Sequence, residues 1–215
     1  MEAIEVDPAF AVSDELALRA MYQEKTSLAA LKVQRSLDVH ARAFIGCSPF
    51  LCIGTQDLAG FADVSPRGDP VGFVKVLDAH TLAIPDRIGN NRLDSLGNIL
   101  VNPSVGLLFV IPGFDDTLRV SGEASLTVDP ALLATMSVNE RVPKLAIVVA
   151  VREVFMHCAK AFRRSRLWDS ASFQDRREMP SLSKIILDQT TGAPGADEMR
   201  QIDVDLEDEY MRTMY

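Results

Sequence analysis

Seven short runs of apolar and β-branched residues between positions 50 and 155 constrain the fold of this chain most strongly. Turn residues separate each run from the next, which is the pattern of strands rather than helices. The runs are 50–55, 60–64, 73–77, 81–84, 105–111, 117–124 and 146–155. Most links between them are short, which predicts hairpins and hence a mainly antiparallel sheet. Many short strands of this kind predict a closed or partly closed barrel.

Apolar residues at helical spacing predict helices that flank this barrel. An N-terminal helical segment would place Leu28 and Leu31, and then Leu37, Ala41 and Phe44, on one face. A second helix would start near the pair at 90–91, because an asparagine can cap it, and would end before the Asn-Pro pair at 102–103. Its apolar face would hold the leucines at 93, 96 and 100. Segments 129–139 and 159–168 are also predicted to be helical.

The charge of the chain excludes one class of partner. With 22 Lys+Arg against 30 Asp+Glu, the net charge is -8, which repels nucleic acid and anionic membranes. Residues 197–215 contain seven acids and two arginines and so carry five of these eight charges. We therefore expect a single domain over residues 1–196, including the N-terminal helical segment, followed by a solvated acidic tail over 197–215.

Targeting and metal-binding signals are also informative. The sequence has no run of about 18 apolar residues, and its first residues lack the basic-then-apolar layout of a signal peptide. We therefore expect a cytoplasmic protein that binds neither membranes nor nucleic acid. The cysteines match neither a zinc site nor CxxC, and the histidines are scattered, so we expect neither a disulfide framework nor a metal site.

Segment 84–94 is the strongest candidate for binding an anion. It passes from a strand end through a Pro/Gly loop into a helix N-terminus, where unpaired N–H groups and the helix dipole attract phosphate. Arg87, Asn90, Asn91 and Arg92 place four donors within six residues. The same residues also suit an ordinary capped helix with two solvated arginines. The residues alone leave both interpretations open.

Other candidates carry the same ambiguity. Arg67 lies in a predicted turn over 65–70, and Lys75 interrupts an apolar run. Thr117 and Arg119 fall on the polar face of an alternating strand, which an exposed sheet face also explains. The segment 157–168, which includes Lys160 and Trp168, is basic, but one short basic helix on an acidic protein is usually a solvated face.

Taken in order, these motifs resemble the flavin-binding split-barrel family related to pyridoxamine 5′-phosphate oxidase, in its uncharacterised oxidase-like branch. The resemblance covers roughly residues 37–170. It rests on SPF at 48–50, SPRGDP at 65–70, GFV at 72–74, IPDR at 84–87, GNNRLDSL at 89–96, NP at 102–103, GLLF at 106–109, PG at 112–113, TLRV at 117–120, HCAKA at 157–161, RS at 164–165 and LW at 167–168. It implies a mainly β fold with flanking helices, namely a six-stranded antiparallel Greek-key split barrel. It also implies a homodimer with FMN bound in grooves at the dimer interface.

The resemblance also assigns roles to individual residues. It implies that the flavin phosphate is held by Lys75, Arg87, Asn90, Asn91 and Arg92. It places Ser65, Pro66, Arg67 and the backbone of Ile84, Pro85 and Asp86 beside the flavin ring or ribityl chain. It implies that the partner subunit contributes Thr117 and Arg119, and that Lys160 and Trp168 of a second chain cover the flavin.

One departure from the family bears on the reaction. Pyridoxamine 5′-phosphate oxidases end in a segment rich in Arg and Trp that grips the vitamin phosphate, whereas the acidic segment 197–215 would repel a phosphorylated substrate. We therefore expect an FMN-dependent oxidoreductase that transfers hydride between flavin N5 and a small organic substrate, with NAD(P)H as a candidate donor, and not a true pyridoxamine phosphate oxidase. The sequence marks no catalytic acid or base. The alternatives are a non-catalytic protein that stores flavin or binds haem, and a deazaflavin-dependent reductase.

Overall fold

The computed structural model describes residues 7–24, 26–27 and 31–215. The chain divides into two compact units, Met1–Val33 and Gln34–Tyr215. The first unit contains helix α1 (Glu15–Ala20), which starts where the side chain of Asp14 accepts a hydrogen bond from the amide of Ala17. Leu28, part of the predicted N-terminal helical face, lies outside the described residues.

One antiparallel sheet forms the centre of the larger unit. Its strands are β1 (Phe50–Gln56), β2 (Ala62–Gly68), β3 (Lys75–Val76), β4 (Thr81–Pro85), β5 (Ser104–Val110), β6 (Thr117–Thr127) and β7 (Ala146–His157). They lie in the order β2-β1-β5-β6-β7-β4-β3, with every neighbouring pair antiparallel. This confirms the predicted mainly β, antiparallel fold with flanking helices. The sheet has seven strands among the described residues rather than the six that the resemblance implied, and β3 has only two residues.

Strand β2 corrects the predicted turn over 65–70. Ser65, Pro66, Arg67 and Gly68 continue the strand, and the register pairs Leu51 with Arg67. Proline cannot donate a hydrogen bond to a ladder, but β2 is an edge strand of the sheet, where the missing donor is tolerated. The turn chemistry was therefore overridden by pairing with β1.

The core lies on one face of the alternating strands. In β6, Leu118 and Val120 are buried whereas Arg119 is exposed, as the alternation predicts. Thr117 is also buried, so its predicted place on the polar face is wrong. It is the first residue of the strand and pairs with His157, the last residue of β7.

Two helices pack against this core. Helix α2 (Val39–Cys47) is capped by the side chain of Asp38 and buries Ala41 and Ile45. Helix α3 (Asp94–Val101) buries Leu96 but leaves the leucines at 93 and 100 exposed, so the predicted apolar face is wrong. The buried face instead comprises Ser95, Leu96 and Ile99. The predicted asparagine cap is also absent, because the helix starts after Leu93 without a side-chain cap.

The remaining α-helices of the described residues lie between β6 and β7 or after β7 in the chain. They are α4 (Pro130–Ala134), α5 (Lys160–Ser165), α6 (Leu182–Gln189) and α7 (Ala196–Thr213). Helices α4 and α5 are shorter than the predicted segments 129–139 and 159–168. The acidic segment is not a solvated arm: it forms α7, which contacts α6, buries Met199 and belongs to the same compact unit as the sheet. The predicted domain limits themselves stay a prediction. Among the described residues, no helix has the length and apolar character needed to cross a membrane.

Candidate functional site

A cavity of about 970 Å³ lies where β2, the end of β4 and the start of α3 come together. It is lined by residues 63–68, 85–96 and 141–145, with Phe73 and Tyr215. Its volume is at the upper end of the roughly 300–1,000 Å³ typical of small-molecule sites. The segment 84–94, which the sequence marked as the strongest candidate, thus forms much of its wall.

The cavity brings together nine of the fifteen residues that the sequence nominated. These are Ser65, Pro66, Arg67, Pro85, Asp86, Arg87, Asn90, Asn91 and Arg92. They come from two strands that are not neighbours in the sheet and from the loop between β4 and α3.

Two nominated residues near the cavity point elsewhere. Ile84 is fully buried in the core. Burial of its side chain agrees with a predicted role that involves only its backbone. The ammonium group of Lys75 donates to the carbonyl of Gly72 at 3.1 Å, and Lys75 does not line the cavity formed by the described residues. The position of Lys75 therefore does not support its predicted contact with a phosphate, which stays a prediction.

Four further nominated residues lie away from the cavity wall of their own chain, as far as the described residues form it. Thr117 is buried, and the guanidinium of Arg119 lies 5.5 Å from the ring centroid of Phe155. Lys160 is exposed at the start of α5, and the indole N–H of Trp168 donates to the carbonyl of Phe114. Their predicted contribution to the flavin site from a second chain stays a prediction.

A largely buried ion pair connects β2 with the end of β4. Nη1 of Arg67 lies 2.7 Å from Oδ1 of Asp86, and the amide of Asp86 donates to the carbonyl of Leu145. Nε of Arg67 is buried and has no hydrogen-bond partner among the described residues. Buried donors in proteins are nearly always paired, so an unpaired one beside a cavity is typical of a site that a ligand or water completes.

A second ion pair, more deeply buried, holds Arg87. Its Nε donates to Oδ2 of Asp69 at 2.6 Å and its Nη2 donates to the carbonyl of Met136 at 2.7 Å. The side chain of Asp69 is 2% exposed and that of Arg87 is 16% exposed. Breaking such a pair by removing one partner typically costs about 3–5 kcal/mol, because the other charge stays buried. Arg87 is therefore engaged by protein atoms through Nε and Nη2, and its predicted contact with a phosphate stays a prediction.

Tyr215 completes this cluster. Its hydroxyl donates to Oδ1 of Asp69 at 2.8 Å, and its ring centroid lies 5.6 Å from the guanidinium carbon of Arg87. The hydrogen bond to the Asp69 carboxylate, aided by burial, raises the pKa of the Tyr215 phenol above its ordinary value of 10.0. The phenol therefore stays protonated as a donor to Asp69 at neutral pH.

The loop between β4 and α3 presents its polar groups to solvent. Arg92 pairs with Asp94 at 2.7 Å, but its side chain is 73% exposed, and exposed pairs are weakly held. The hydrogen bond to Asp94 raises the pKa of Arg92. Asn90 accepts a hydrogen bond from the amide of Arg92, and Asn91 and Leu93 have left-handed backbone angles. Arg92, Asn90 and Asn91 can thus turn toward a ligand at little cost.

A polar network anchors α3 beside the cavity. Oδ2 of Asp63 accepts hydrogen bonds from the hydroxyl of Ser95 at 2.6 Å and from that of Thr55 at 3.4 Å, and Asn98 donates to Thr55. No motif in the sequence pointed to this network. The described residues hold no group of three or more His, Cys, Asp or Glu side chains suited to a metal ion.

Sequence reasoning missed Asp69, Tyr215 and Arg141 as cavity-associated residues. Asp69 had a signal, because it follows Arg67 within the SPRGDP motif, but the motif suggested only a turn. Tyr215 and Arg141 had none, since both belong to segments far from the motif along the chain. Lys144 also lines the cavity and adds a third exposed cation to Arg92 and Arg141.

Comparison with known proteins gives one family match. The family described as pyridoxamine 5′-phosphate oxidase matches residues 37–158, more than half of the chain. No curated protein matches significantly. Solved structures with a similar arrangement include HupZ from Group A Streptococcus, with 17% identity over 55% of this chain and 92% of that chain and a TM-score of 0.46. Others are General Stress Protein 26 from Bacillus anthracis str. Sterne (15% identity, 54% and 88% covered, TM-score 0.42) and an FMN-binding protein from Syntrophomonas wolfei subsp. wolfei (12% identity, 56% and 90% covered, TM-score 0.42).

Proposed function

This chain belongs to the pyridoxamine 5′-phosphate oxidase family, as its motifs predicted, and from that membership we propose that it is a flavin-binding oxidoreductase whose cofactor is FMN. The observation that carries the proposal is the cavity between β2, β4 and α3. It gathers, from separate parts of the chain, nine of the residues that the sequence motifs nominated for flavin binding.

The lining of the cavity fits FMN in both size and chemistry. Apolar surface from Pro85, Leu96 and Leu145 suits a flat aromatic ring, while the loop between β4 and α3 supplies amides and a guanidinium for a phosphate. The unpaired Nε of Arg67 is the kind of orphan donor that a ligand satisfies, directly or through water. No feature of the donor set requires a metal.

We assign the phosphate to the exposed donors of the loop. Arg92, Asn90 and Asn91 would hold it near the N-terminus of α3, where the helix dipole favours an anion. Arg87 would contribute indirectly, because its positive charge neutralises the buried Asp69 carboxylate. Ser65, Pro66, Arg67 and the backbone of Asp86 would lie beside the ribityl chain or ring.

The chemistry comes from the cofactor and its placement from the protein. When bound, FMN supplies hydride transfer at its N5 atom, while the chain positions ligands and sets the local charge. The acidic helix α7 disfavours a phosphorylated substrate, so we propose a small organic substrate other than a B6 phosphate.

The absorption spectrum of freshly purified protein tests the proposal, together with the mass of any cofactor released on denaturation. We expect a flavin spectrum, FMN by mass and bleaching by NADPH in the absence of oxygen. A flavin that no nicotinamide or substrate reduces would favour storage. A haem spectrum, or a colourless protein that binds a deazaflavin but not FMN, would contradict FMN as the cofactor.

A further inference from the structure

Tyr215 reaches the cavity from an element that the sequence predicted to be a solvated tail. It lies two residues beyond the end of α7, and α7 is held against the larger unit by buried Met199 and by contact with α6. Its side chain lines the cavity and is half-buried there. The family match ends at residue 158, so Tyr215 lies outside the matched region.

Three different parts of the chain fix the position of Tyr215. Asp69, which follows β2, accepts its hydroxyl hydrogen bond, and the guanidinium of Arg87, which follows β4, lies over its ring. Nη1 of Arg141 donates to its backbone carbonyl at 2.5 Å. Since Arg87 and Arg141 line the cavity and Asp69 directly follows Gly68, which also lines it, the tyrosine is clamped at the wall rather than resting on an open surface.

The turn that presents Arg141 is itself unusual. Asn139 and Glu140 have φ values of 49° and 63°, and mutual hydrogen bonds between Val138 and Arg141 close the turn around them. Two consecutive left-handed residues define a tight hairpin turn, and outside glycine each costs on the order of 1–3 kcal/mol. The hydrogen bonds of this turn fix the backbone from which Arg141 reaches Tyr215.

The charges around Tyr215 indicate what it can contact. Its hydroxyl is already used by Asp69, so what remains for a ligand is the aromatic ring. The neighbouring Asp69 carboxylate is neutralised by Arg87, and Arg141 is engaged by the backbone carbonyl of Tyr215, so the group that the tyrosine itself offers to a ligand is uncharged. A flat aromatic group suits it better, through stacked or edge-to-face contact.

We propose that Tyr215 is a ligand-contacting wall residue of the cavity, whose ring packs against the isoalloxazine ring of the bound flavin rather than against its phosphate. The inference rests on the proposed flavin function and deepens it, because it orients the ligand in the cavity. The phosphate lies at the loop between β4 and α3, and the ring system lies toward the clamp formed by Asp69, Arg87 and Tyr215.

Two flavins of different composition test this orientation. Lumiflavin carries the ring system without the ribityl phosphate, so its affinity reports contacts to the ring alone. In titrations followed by flavin fluorescence, Tyr215→Ala should raise the Kd of both FMN and lumiflavin by the same factor, about three- to tenfold for a lost aromatic contact. Tyr215→Phe keeps the ring and should raise both Kd values less. Tyr210→Phe, on the exposed surface of α7, should leave both unchanged.

The outcomes separate the inference from the proposed function. If FMN and lumiflavin bind Tyr215→Ala as tightly as the unaltered protein, or if only FMN binding weakens, the ring contact is overturned while the flavin function stands. If the unaltered protein binds neither flavin, the proposed function fails, and the inference fails with it. Thermal unfolding of each variant shows that a weakened affinity belongs to a folded protein.

Discussion

At the residue scale, Arg87 and Arg92 show how two similar side chains in one loop come to do different things. Arg87 is largely buried and pairs with a carboxylate that is almost fully buried, whereas Arg92 pairs with Asp94 at the surface. Separating a buried ion pair costs a large amount of free energy, whereas the partners of an exposed ion pair exchange readily with water or ligand. The first arginine therefore stabilises the wall of the cavity, and the second is free to bind an anion.

Alanine substitution should separate these two roles. Arg92→Ala should weaken FMN binding about tenfold or more, as expected for a lost charged hydrogen bond, and leave stability unchanged. Arg87→Ala should lower the free energy of unfolding by about 3–5 kcal/mol, because Asp69 loses its cation. FMN titration and urea unfolding measure the two effects, with Arg163→Ala as an exposed control outside the cavity. Loss of FMN binding by Arg87→Ala at full stability would restore Arg87 as a phosphate ligand.

The phenol of Tyr215 gives a prediction about pH. Its pKa is raised in the folded protein, chiefly by the hydrogen bond to Asp69, so the native state keeps a proton that the unfolded chain loses near its ordinary value of 10.0. The stability from this group is thus fully present below about pH 10 and is lost as the pH rises through the folded pKa. Urea unfolding from pH 8 to 11 should show the unaltered protein losing stability relative to Tyr215→Phe only above pH 10. Parallel curves over the whole range would mean that the hydrogen bond does not form.

At the scale of elements, the pairing of β6 with β7 depends on one glycine. The register shifts between Ser121 and Gly122, and a Cβ built on Gly122 would lie 2.2 Å from the carbonyl oxygen of Ala150. That oxygen belongs to the backbone of the neighbouring strand, so it cannot move aside without disturbing the ladder. The irregular pairing of β6 with β7 is therefore possible only with a residue at position 122 that has no side chain.

A pair of glycine substitutions tests this requirement. Gly122→Ala should lower the free energy of unfolding by about 1–3 kcal/mol or more, as overpacking does. Gly106→Ala, in β5, should change it by no more than about 0.5 kcal/mol, because no atom lies within 4 Å of the added methyl group. Urea unfolding compares the two, and equal stabilities would show that β6 and β7 pair more loosely than the structure indicates.

The acidic segment is the element that departs furthest from its prediction. Charge favoured a solvated arm, but Met199, Ile202 and Leu206 recur at helical spacing and are buried or half-buried in α7. Most of the acids lie on the exposed part of the helix surface, whereas Asp203 is half-buried. Composition alone missed this narrow apolar stripe, which is what holds α7 against the rest of the larger unit.

At the scale of the whole molecule, we propose that the protein is a homodimer with each flavin between two chains. Thr117, Arg119, Lys160 and Trp168 lie away from the cavity of their own chain among the described residues, and in the proposed dimer they would reach the site of the partner chain. Large apolar side chains at and around the β1–β2 hairpin, including Leu58, are exposed, as expected of a surface that another chain covers.

Dilution provides the test of this arrangement. If the cofactor lies between subunits, FMN release should follow dissociation of the dimer, and added FMN should shift the equilibrium toward the dimer. Sedimentation velocity is measured over a range of protein concentrations. Ultraviolet absorption follows the protein, and absorption at a flavin band shows whether monomer or dimer carries FMN. A monomer that still carries FMN would contradict a site shared between chains.

The sequence by itself determined the sheet and the position of the loop that forms the cavity wall. Alternation of side chains and the apolar spacing of α2 are local properties, so the strands and Ala41 could be placed from their neighbours. Strand limits shifted where pairing decided them, as in the extension of β2 through Pro66. The loop from 84 to 94 was recognisable because its donors are close together along the chain.

Only the tertiary structure decided which of those donors are available and what closes the cavity. Arg87 is engaged because the fold brings it to Asp69 and Met136, and Tyr215 meets Asp69 across 146 positions of sequence. The free energy of a buried pair depends on which atoms surround it, and no local pattern encodes those surroundings. The sequence therefore determined which groups could bind a phosphate, while the packing of distant segments decided that Arg92 is accessible, that Arg87 is held by protein atoms, and that a tyrosine forms part of the wall.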